Sequence, residues 1–175
     1  MDCPETYAEV AAADQAIVVW KGVFTLGLYE HGQLVRGEGA ARCFPVALGG
    51  APVGDKLRQG DEHTPVGTFR ITHRNPKSSF HLSLGVSYPD AAHAQTAYAA
   101  GVIDAASRDR IVSADKAHRM PVRTTTMGGD IYLHGGAAFP QDWTDGCVGM
   151  DNDAIDLVYA WARPGTTVLI REGAP

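Results

Sequence analysis

Short apolar segments that end at glycine or proline recur along this chain and restrict it to a fold of short strands joined by turns. Twenty glycines and ten prolines stand among the 175 residues, and both residue types favour turns. Each apolar segment is rich in β-branched or aromatic residues, as strands are. The segments predicted to be strands are residues 16–20, 23–29, 33–35, 42–48, 68–72, 81–88, 131–133 and 166–171.

Three stretches predict helix within this β-rich pattern. Residues 5–14 are rich in alanine and predict a short helix. Residues 90–120 also favour helix, broken at Gly101, and between strands they form an insertion that could cover a cleft as a lid. Residues 152–162 predict a helix whose N-cap is Asp151 or Asn152. We therefore expect a mainly β fold with short helices, of the α+β class.

The length fits one domain with short ends. We expect residues 1–15 to be an N-terminal extension, residues 16–171 the folded domain and residues 172–175 a tail. The net charge of −5 and the absence of a basic run argue against nucleic acid as a partner. No apolar run approaches the ~20 residues of a membrane span, so no transmembrane segment is expected.

The strongest chemical signal lies in residues 131–152, which hold one histidine and one cysteine. His134 follows three apolar, strand-prone residues, so it should stand at a strand end, where Gly135 and Gly136 open a loop. Cys147 comes 13 positions after His134, set among small residues that can leave its sulfur and backbone N–H groups exposed. This arrangement suggests a reactive cysteine.

The chemistry that this pair suggests is nucleophilic catalysis. A thiol with a pKa near ~8.5 is mostly protonated at neutral pH, and a nearby imidazole can accept its proton and stabilise the thiolate. Backbone N–H groups around Cys147 could face the oxyanion that forms when the sulfur attacks a carbonyl. The alternative is a chance pair, because free cysteines are often simply buried.

Two motifs give this chain a resemblance to the L,D-transpeptidases, the YkuD-type domains. His134-Gly135, followed after about ten residues by Thr144-Asp145-Gly146-Cys147, resembles their active-site signature. Many members carry a second histidine where this chain has Asp145, so the chain resembles a divergent branch. An earlier motif also resembles the family, and its residues are Gly54, Lys56, Gly60, Asp61, Thr64, Pro65 and Gly67.

The earlier motif has a simple physical interpretation. Glycine and proline fix the dihedral angles of a loop, and the side chains of Asp61 and Thr64 can hydrogen-bond its backbone. We interpret it as a structural loop at the edge of the site rather than as a catalytic element. The resemblance covers residues 16–171 and implies a β-sandwich or barrel with an active-site loop.

The resemblance also implies a substrate and a set of roles. Members attack the carbonyl of a diaminopimelate residue followed by D-alanine in the stem peptides of peptidoglycan. Cys147 would form the acyl-enzyme, and His134 would act first as base and then as acid. The Gly135 carbonyl would orient the imidazole, and Gly146 and Cys147 would provide the oxyanion N–H groups.

The expected substrate-binding residues flank these positions. They are Tyr88, Gly136, Trp143, Thr144 and Asp145. Tyr88 could instead be a half-buried tyrosine at a strand end, and Trp143 could simply pack its loop. Asp145 would raise the pKa of a nearby thiol by repulsion or stabilise an imidazolium at His134; it could equally cap a solvent-facing turn.

The acceptor decides which reaction follows acylation. An amine from a second stem peptide or from a lipoprotein gives transpeptidation, whereas water gives L,D-carboxypeptidase or amidase activity. Two further classes stay open, an antibacterial effector of the same fold and a non-catalytic module that binds cell-wall peptide. We expect no cofactor, and metal catalysis fits poorly because Cys147 lacks companion ligands.

The other cysteines bear on the compartment. A disulfide between Cys3 and Cys43 would suit an oxidising environment, but two unpaired thiols or a lipidated Cys3 in a precursor fit the sequence too. The first 15 residues lack a basic region followed by an apolar core, so they do not predict a signal peptide. We expect a periplasmic or cell-envelope location, with a secreted effector as the alternative.

Overall fold

The computed structural model describes residues 3–137 and 144–175. Among them, three α-helices accompany short strands. The helices are α1 (Ala91–Ala99), α2 (Ala105–Lys116) and α3 (Asn152–Trp161). The strands are β1 (Ala16–Trp20), β2 (Thr25–Glu30), β3 (Gln33–Leu34), β4 (Arg36–Gly37), β5 (Ala40–Ala41), β6 (Cys43–Pro45), β7 (Gly67–Ser78), β8 (His81–Val86), β9 (Tyr132–His134), β10 (Val148–Gly149) and β11 (Thr167–Arg171).

Nine of the described strands form one mixed sheet. Eight of them lie in the order β10-β9-β8-β7-β11-β1-β2-β3, and β6 pairs with β2 at the far side. Most neighbouring pairs are antiparallel, whereas β1 with β11 and β9 with β10 are parallel. The expected fold class, mainly β with short helices, is confirmed. The sheet also brings β9 and β10, which flank the His134–Cys147 stretch, to one edge.

The sheet is buried on both faces at its centre. Every residue of β1 is buried, as expected for a strand without a solvent-facing side. The larger apolar cluster packs α1, α2 and α3 against one face. A smaller cluster, formed by Val10, Val18, Trp20 and Leu34 with their neighbours, covers the other face beneath the N-terminal segment.

Several predicted element boundaries change in the structure. Residues 16–20 form β1 as predicted, but residues 5–14 form only a short 3-10 turn, Ala8–Val10. That prediction is wrong because Tyr7 and Leu34 hydrogen-bond across to neighbouring segments instead of continuing a helix. The strand predicted at 68–72 extends to Gly67–Ser78, because its pairing with β8 continues past the apolar residues that signalled it.

Aspartate side chains begin all three α-helices. Asp90, Asp104 and Asp151 each accept a hydrogen bond from a first-turn backbone N–H, at 2.8, 2.8 and 2.7 Å. Of the two residues predicted as N-cap of the last helix, Asp151 or Asn152, the structure shows Asp151. Residues 90–120 contain two helices, α1 and α2, and the predicted break at Gly101 lies between them. Within the part of the chain that the structure describes, no helix has the length and apolarity that crossing a membrane needs.

A disulfide joins the N-terminal segment to the sheet. Cys3 and Cys43 are bonded, with their Cα atoms 5.9 Å apart and 40 positions between them in sequence. The sequence left open a disulfide, two unpaired thiols or a lipidated Cys3, and the structure shows the disulfide. The bond anchors the segment that covers the second apolar face, where Tyr29 donates a hydrogen bond to the Pro4 carbonyl at 2.8 Å.

Removing this disulfide should lower stability substantially. Chain-entropy reasoning for a loop of this length gives a loss of about 2–4 kcal/mol in the free energy of unfolding. We expect a Cys3→Ala/Cys43→Ala protein to unfold at a lower urea concentration than the oxidised wild type. Reduced wild type should match the variant, and equal midpoints for all three proteins would contradict the expectation.

A buried histidine ties α1 to the loop of residues 52–66. His93 Nδ1 lies 2.6 Å from Asp90 Oδ1, and His93 Nε2 lies 3.2 Å from Asp55 Oδ1. Burial alone would lower the pKa of His93, but the hydrogen bonds and charges of the two carboxylates outweigh it and raise that pKa to about 9. His93 is therefore an imidazolium at neutral pH, bonded to Asp90 at the start of α1 and to Asp55 of the loop.

This cluster makes stability depend on pH. Because the folded pKa of His93 lies above its ordinary value of 6.5, its contribution is complete below pH 6.5 and is lost as pH rises through about 9. We expect that loss to reach about 3 kcal/mol at most. Urea unfolding at a series of pH values should show it in wild type and not in His93→Gln. Parallel pH profiles for the two proteins would refute the assignment.

Candidate active site

Two adjacent parallel strands bring His134 and Cys147 to one cavity. In the register of β9 and β10, Leu133 pairs with Val148 and His134 with Gly149. The Met150 N–H donates to the His134 carbonyl at 2.8 Å and extends this ladder. Cys147 immediately precedes β10, and both side chains line a cavity of about 470 Å³. The structure therefore brings the predicted pair together.

His134 is buried and held in one orientation. Its Nδ1 lies 2.7 Å from the Gly135 carbonyl oxygen, so the Nδ1–H donates to that carbonyl and the proton-accepting lone pair lies on Nε2. The Phe80 ring stacks against the imidazole with centroids 4.7 Å apart. Burial lowers the pKa of His134 below 6.5, an effect that the Gly135 carbonyl only partly offsets. The imidazole is neutral at pH 7 and able to accept a proton.

Cys147 is a neutral thiol in this arrangement. Its Sγ accepts a hydrogen bond from the Tyr132 N–H at 3.4 Å and lies 3.5 Å from the Asp130 carbonyl oxygen. Desolvation by the cavity walls raises the pKa of Cys147 to about 11; the Tyr132 amide opposes this rise, and the charge of Asp145 adds to it. The expected thiolate, stabilised by the imidazole, is therefore corrected to a neutral thiol that shares the cavity with a neutral imidazole.

Close packing requires two glycines of the active-site signature, Gly135 and Gly146. A Cβ on Gly135 would lie 2.8 Å from both Asn152 Oδ1 and Ile155 Cγ2. Gly146 has φ of 126°, and a Cβ there would lie 2.6 Å from the His63 carbonyl oxygen. Side chains at either position would displace α3 or the 52–66 loop, and that loop lines the cavity through Lys56, Gln59 and Gly60.

The oxyanion prediction needs a correction at one position. The Gly146 N–H donates to Thr144 Oγ1 at 3.2 Å, and Thr144 Oγ1 donates to the Cys147 carbonyl at 2.8 Å. The Gly146 amide is therefore already used in holding the turn. The Cys147 N–H remains the predicted oxyanion donor.

The predicted substrate-binding residues divide into three groups. Thr144 and Asp145 line the cavity, the first buried and the second exposed. Tyr88 is fully buried against Phe69 and His93, so the prediction that it contacts substrate is wrong. Gly136 is not among the described residues of the cavity wall, and its N–H donates to Asn152 Oδ1 at 2.9 Å. Trp143 lies outside the described residues.

The earlier motif builds one wall of the cavity. Asp61 Oδ2 accepts hydrogen bonds from the N–H groups of Leu57 and Arg58 at 2.7 and 2.8 Å, and Thr64 Oγ1 accepts from the Gly49 N–H at 3.0 Å. The predicted backbone-bonding roles of Asp61 and Thr64 are confirmed. Asp61 Oδ1 also lies 2.8 Å from the buried Lys56 Nζ, and Lys56 lines the cavity.

Phe80, Arg123 and Asp130 are among the cavity residues that the sequence interpretation missed. Phe80 stacks on His134, and Arg123 and Asp130 form an exposed ion pair on the wall. Phe80 could have been found from the sequence, because it is an aromatic residue in the turn between β7 and β8. None of residues 90–120 appears among the described lining residues, so a lid there stays a prediction. The described residues contain no group of three His, Cys, Asp or Glu placed to hold a metal ion.

Sequence comparison now identifies the family. The YkuD family profile, described as the L,D-transpeptidase catalytic domain, matches residues 14–170. The chain therefore belongs to the YkuD-type L,D-transpeptidase catalytic domain family. A comparison with curated protein sequences gave no match.

Solved structures of low sequence identity share the fold. Pgp2, the helical cell shape determining protein from Campylobacter jejuni, has a TM-score of 0.60 at 19% identity, over 92% of this chain and 48% of Pgp2. Bd1075 from Bdellovibrio bacteriovorus has 0.56 at 20%, over 98% and 52%. An L,D-transpeptidase from Mycobacterium smegmatis has 0.52 at 12%, over 91% and 59%. The chain thus spans about half the length of these proteins.

Proposed function

We propose that this protein is a cysteine-dependent L,D-transpeptidase that acts on the diaminopimelate–D-alanine bond of peptidoglycan stem peptides. One observation carries the proposal: Cys147 and His134 line one cavity, with the imidazole fixed by Gly135 so that Nε2 is its proton acceptor. Membership of the family supplies the substrate class. The site residues supply the chemistry.

Acylation begins with two neutral groups. As Cys147 Sγ attacks the carbonyl carbon of diaminopimelate, its proton passes to His134 Nε2, so no free thiolate is needed beforehand. The Cys147 N–H donates to the oxyanion. Collapse of the tetrahedral intermediate breaks the bond to D-alanine, whose nitrogen takes the proton from His134. A thioester to Cys147 remains.

Deacylation repeats these steps with a second nucleophile. His134 accepts a proton from the incoming amine or water as it attacks the thioester carbonyl, and the proton returns to the sulfur as it leaves. An amine from a second stem peptide or a lipoprotein gives a cross-link, which is transpeptidation. Water gives the carboxypeptidase or amidase outcome at the same site.

The disulfide supports a location in the cell envelope or periplasm. Disulfides persist in oxidising compartments and are rare in the reducing cytosol. The Cys3–Cys43 bond anchors the segment that covers the second apolar face, so folding in an oxidising compartment would preserve that cover. Peptidoglycan stem peptides lie in the same compartment.

The function is tested by mass spectrometry of muropeptides incubated with the protein. Wild type should convert diaminopimelate-containing tetrapeptides with release of D-alanine, giving cross-linked products with an amine acceptor or trimmed products with water. Cys147→Ala should give neither. Unchanged muropeptides with wild type, or equal conversion by the variant, would exclude the proposed enzyme and favour a module that only binds cell-wall peptide.

A further inference from the structure

The cavity wall carries an ion pair that the proposed chemistry does not use. Arg123 Nη1 contacts Asp130 Oδ1, and both side chains stay about half exposed, at 47% and 59%. Both residues line the cavity beside Cys147. An exposed pair of this kind contributes little to stability, so stability gives no reason for its position.

The backbone around the pair is shaped to hold it there. A Cβ on Gly129 would lie 2.7 Å from Arg123 Cγ, so only glycine leaves room for the arginine stem. Asp130 itself has φ of 57°, a left-handed conformation that costs energy for a residue other than glycine. Tyr132 adds a hydrogen bond from its hydroxyl to Asp130 Oδ1 at 3.2 Å.

The backbone of Asp130, one member of the pair, contacts the sulfur of Cys147. The backbone oxygen of Asp130 lies 3.5 Å from Cys147 Sγ. The Asp130 side chain is therefore carried by a residue whose own backbone contacts the reacting sulfur. A substrate bound at Cys147 by one carbonyl would therefore place a group several bonds further along its side chain beside Arg123 and Asp130.

The charges define what that group should be. Arg123 retains N–H donors beyond the one on Asp130, and a guanidinium binds carboxylate well. Asp130 is an acceptor for an ammonium group. A ligand that carries both charges on one carbon would satisfy both residues without leaving either unpaired. A substrate with only an ammonium group, or with an amide in place of the carboxylate, would leave Arg123 unsatisfied.

We propose that Arg123 and Asp130 form a clamp for the zwitterionic distal end of diaminopimelate, with its carboxylate on Arg123 and its ammonium on Asp130. This proposal rests on the proposed function, since it takes diaminopimelate as the acyl donor. The clamp determines specificity: it selects diaminopimelate over lysine and over diaminopimelate whose distal carboxylate is amidated.

Kinetics with matched tetrapeptides test the part of the clamp that binds the carboxylate, Arg123. We expect wild type to release D-alanine from the diaminopimelate peptide with a kcat/KM about 10–100 times that for the amidated or lysine peptide. Arg123→Gln should bring that ratio close to one by slowing the diaminopimelate reaction alone. Arg36→Gln is the matched control, because Arg36 pairs with Glu5 at 52% and 67% exposure outside the cavity.

A second variant, Asp130→Asn, tests the part of the clamp that binds the ammonium group. Asp130→Asn keeps a residue type that tolerates positive φ, so the turn beside Cys147 should hold its shape. Wild type should discriminate against a peptide whose distal amine is acetylated, and Asp130→Asn should lose that discrimination. Unaltered ratios in both Arg123→Gln and Asp130→Asn would overturn the clamp.

Binding separates failure of the clamp from failure of the enzyme proposal. If wild type turns over no peptide, the proposed function fails, and calorimetric titration of Cys147→Ala protein still tests the clamp. Tighter binding of the diaminopimelate peptide than of its amidated form, lost in Cys147→Ala/Arg123→Gln, would support it. Equal dissociation constants for the two peptides would refute it.

Discussion

Alkylation of Cys147 by iodoacetamide should accelerate about tenfold for each pH unit between pH 7 and pH 10, a total of about 10³-fold. The reason is the pKa of Cys147, raised to about 11 by desolvation, which keeps the thiolate fraction small and proportional to hydroxide across this range. Mass spectrometry measures the rate directly, because the disulfide between Cys3 and Cys43 leaves Cys147 as the free cysteine.

The profile distinguishes two kinds of cysteine enzyme. A preformed thiolate–imidazolium pair would give a rate that is already flat between pH 7 and pH 8, and such a plateau would contradict the neutral resting state. His134→Gln is the matched control: its profile should keep the same slope, since His134 is neutral in this range. Circular dichroism at each pH confirms that the protein stays folded.

His134→Gln should lower kcat for D-alanine release by about 10²–10⁴-fold, the usual contribution of a general base. Glutamine cannot accept the thiol proton, although it retains polar atoms of similar reach. In wild type, activity should rise with pH through the pKa of His134, which burial places below 6.5, because only the neutral imidazole accepts a proton. The acid limb should be absent from the residual activity of the variant.

The control for this measurement is another histidine. His31 is exposed at the turn between β2 and β3, at the opposite end of the sheet order from β9 and β10. His31→Asn should keep wild-type kcat and the wild-type acid limb, since asparagine tolerates the positive φ of 48° at that position. A His134→Gln protein within threefold of wild type would remove His134 from the mechanism.

The central strands and the last helix could be predicted because local sequence determines them. Residues 16–20 are apolar without interruption and β-branched at Ile17, Val18 and Val19, and Asp151 caps α3 through its own side chain. The N-terminal helix was predicted wrongly because alanine content reports only intrinsic propensity. There, cross-chain hydrogen bonds and the anchoring of Cys3 to Cys43 decide the conformation.

The site could be predicted only in part, for a similar reason. His134, Gly135 and Cys147 stand in a short motif, so the sequence predicts their proximity. Arg123 and Asp130 lie in a turn without a motif, and only the packing of Gly129 and the left-handed backbone of Asp130 make them part of the wall. Tyr88 failed as a predicted contact because its ring fills the core beside His93.

Because β9 pairs with β10, the separation of His134 and Cys147 does not depend on the loops that form the rest of the cavity wall. The hydrogen-bond ladder, rather than the chain between the strands, sets how far His134 stands from Cys147. Gly135 and residues 144–147 are also fixed by their own packing and hydrogen bonds, so changes in the cavity wall away from them should leave the separation of His134 and Cys147 unchanged. New substrate preferences could be engineered or evolve there while the reaction centre stays intact.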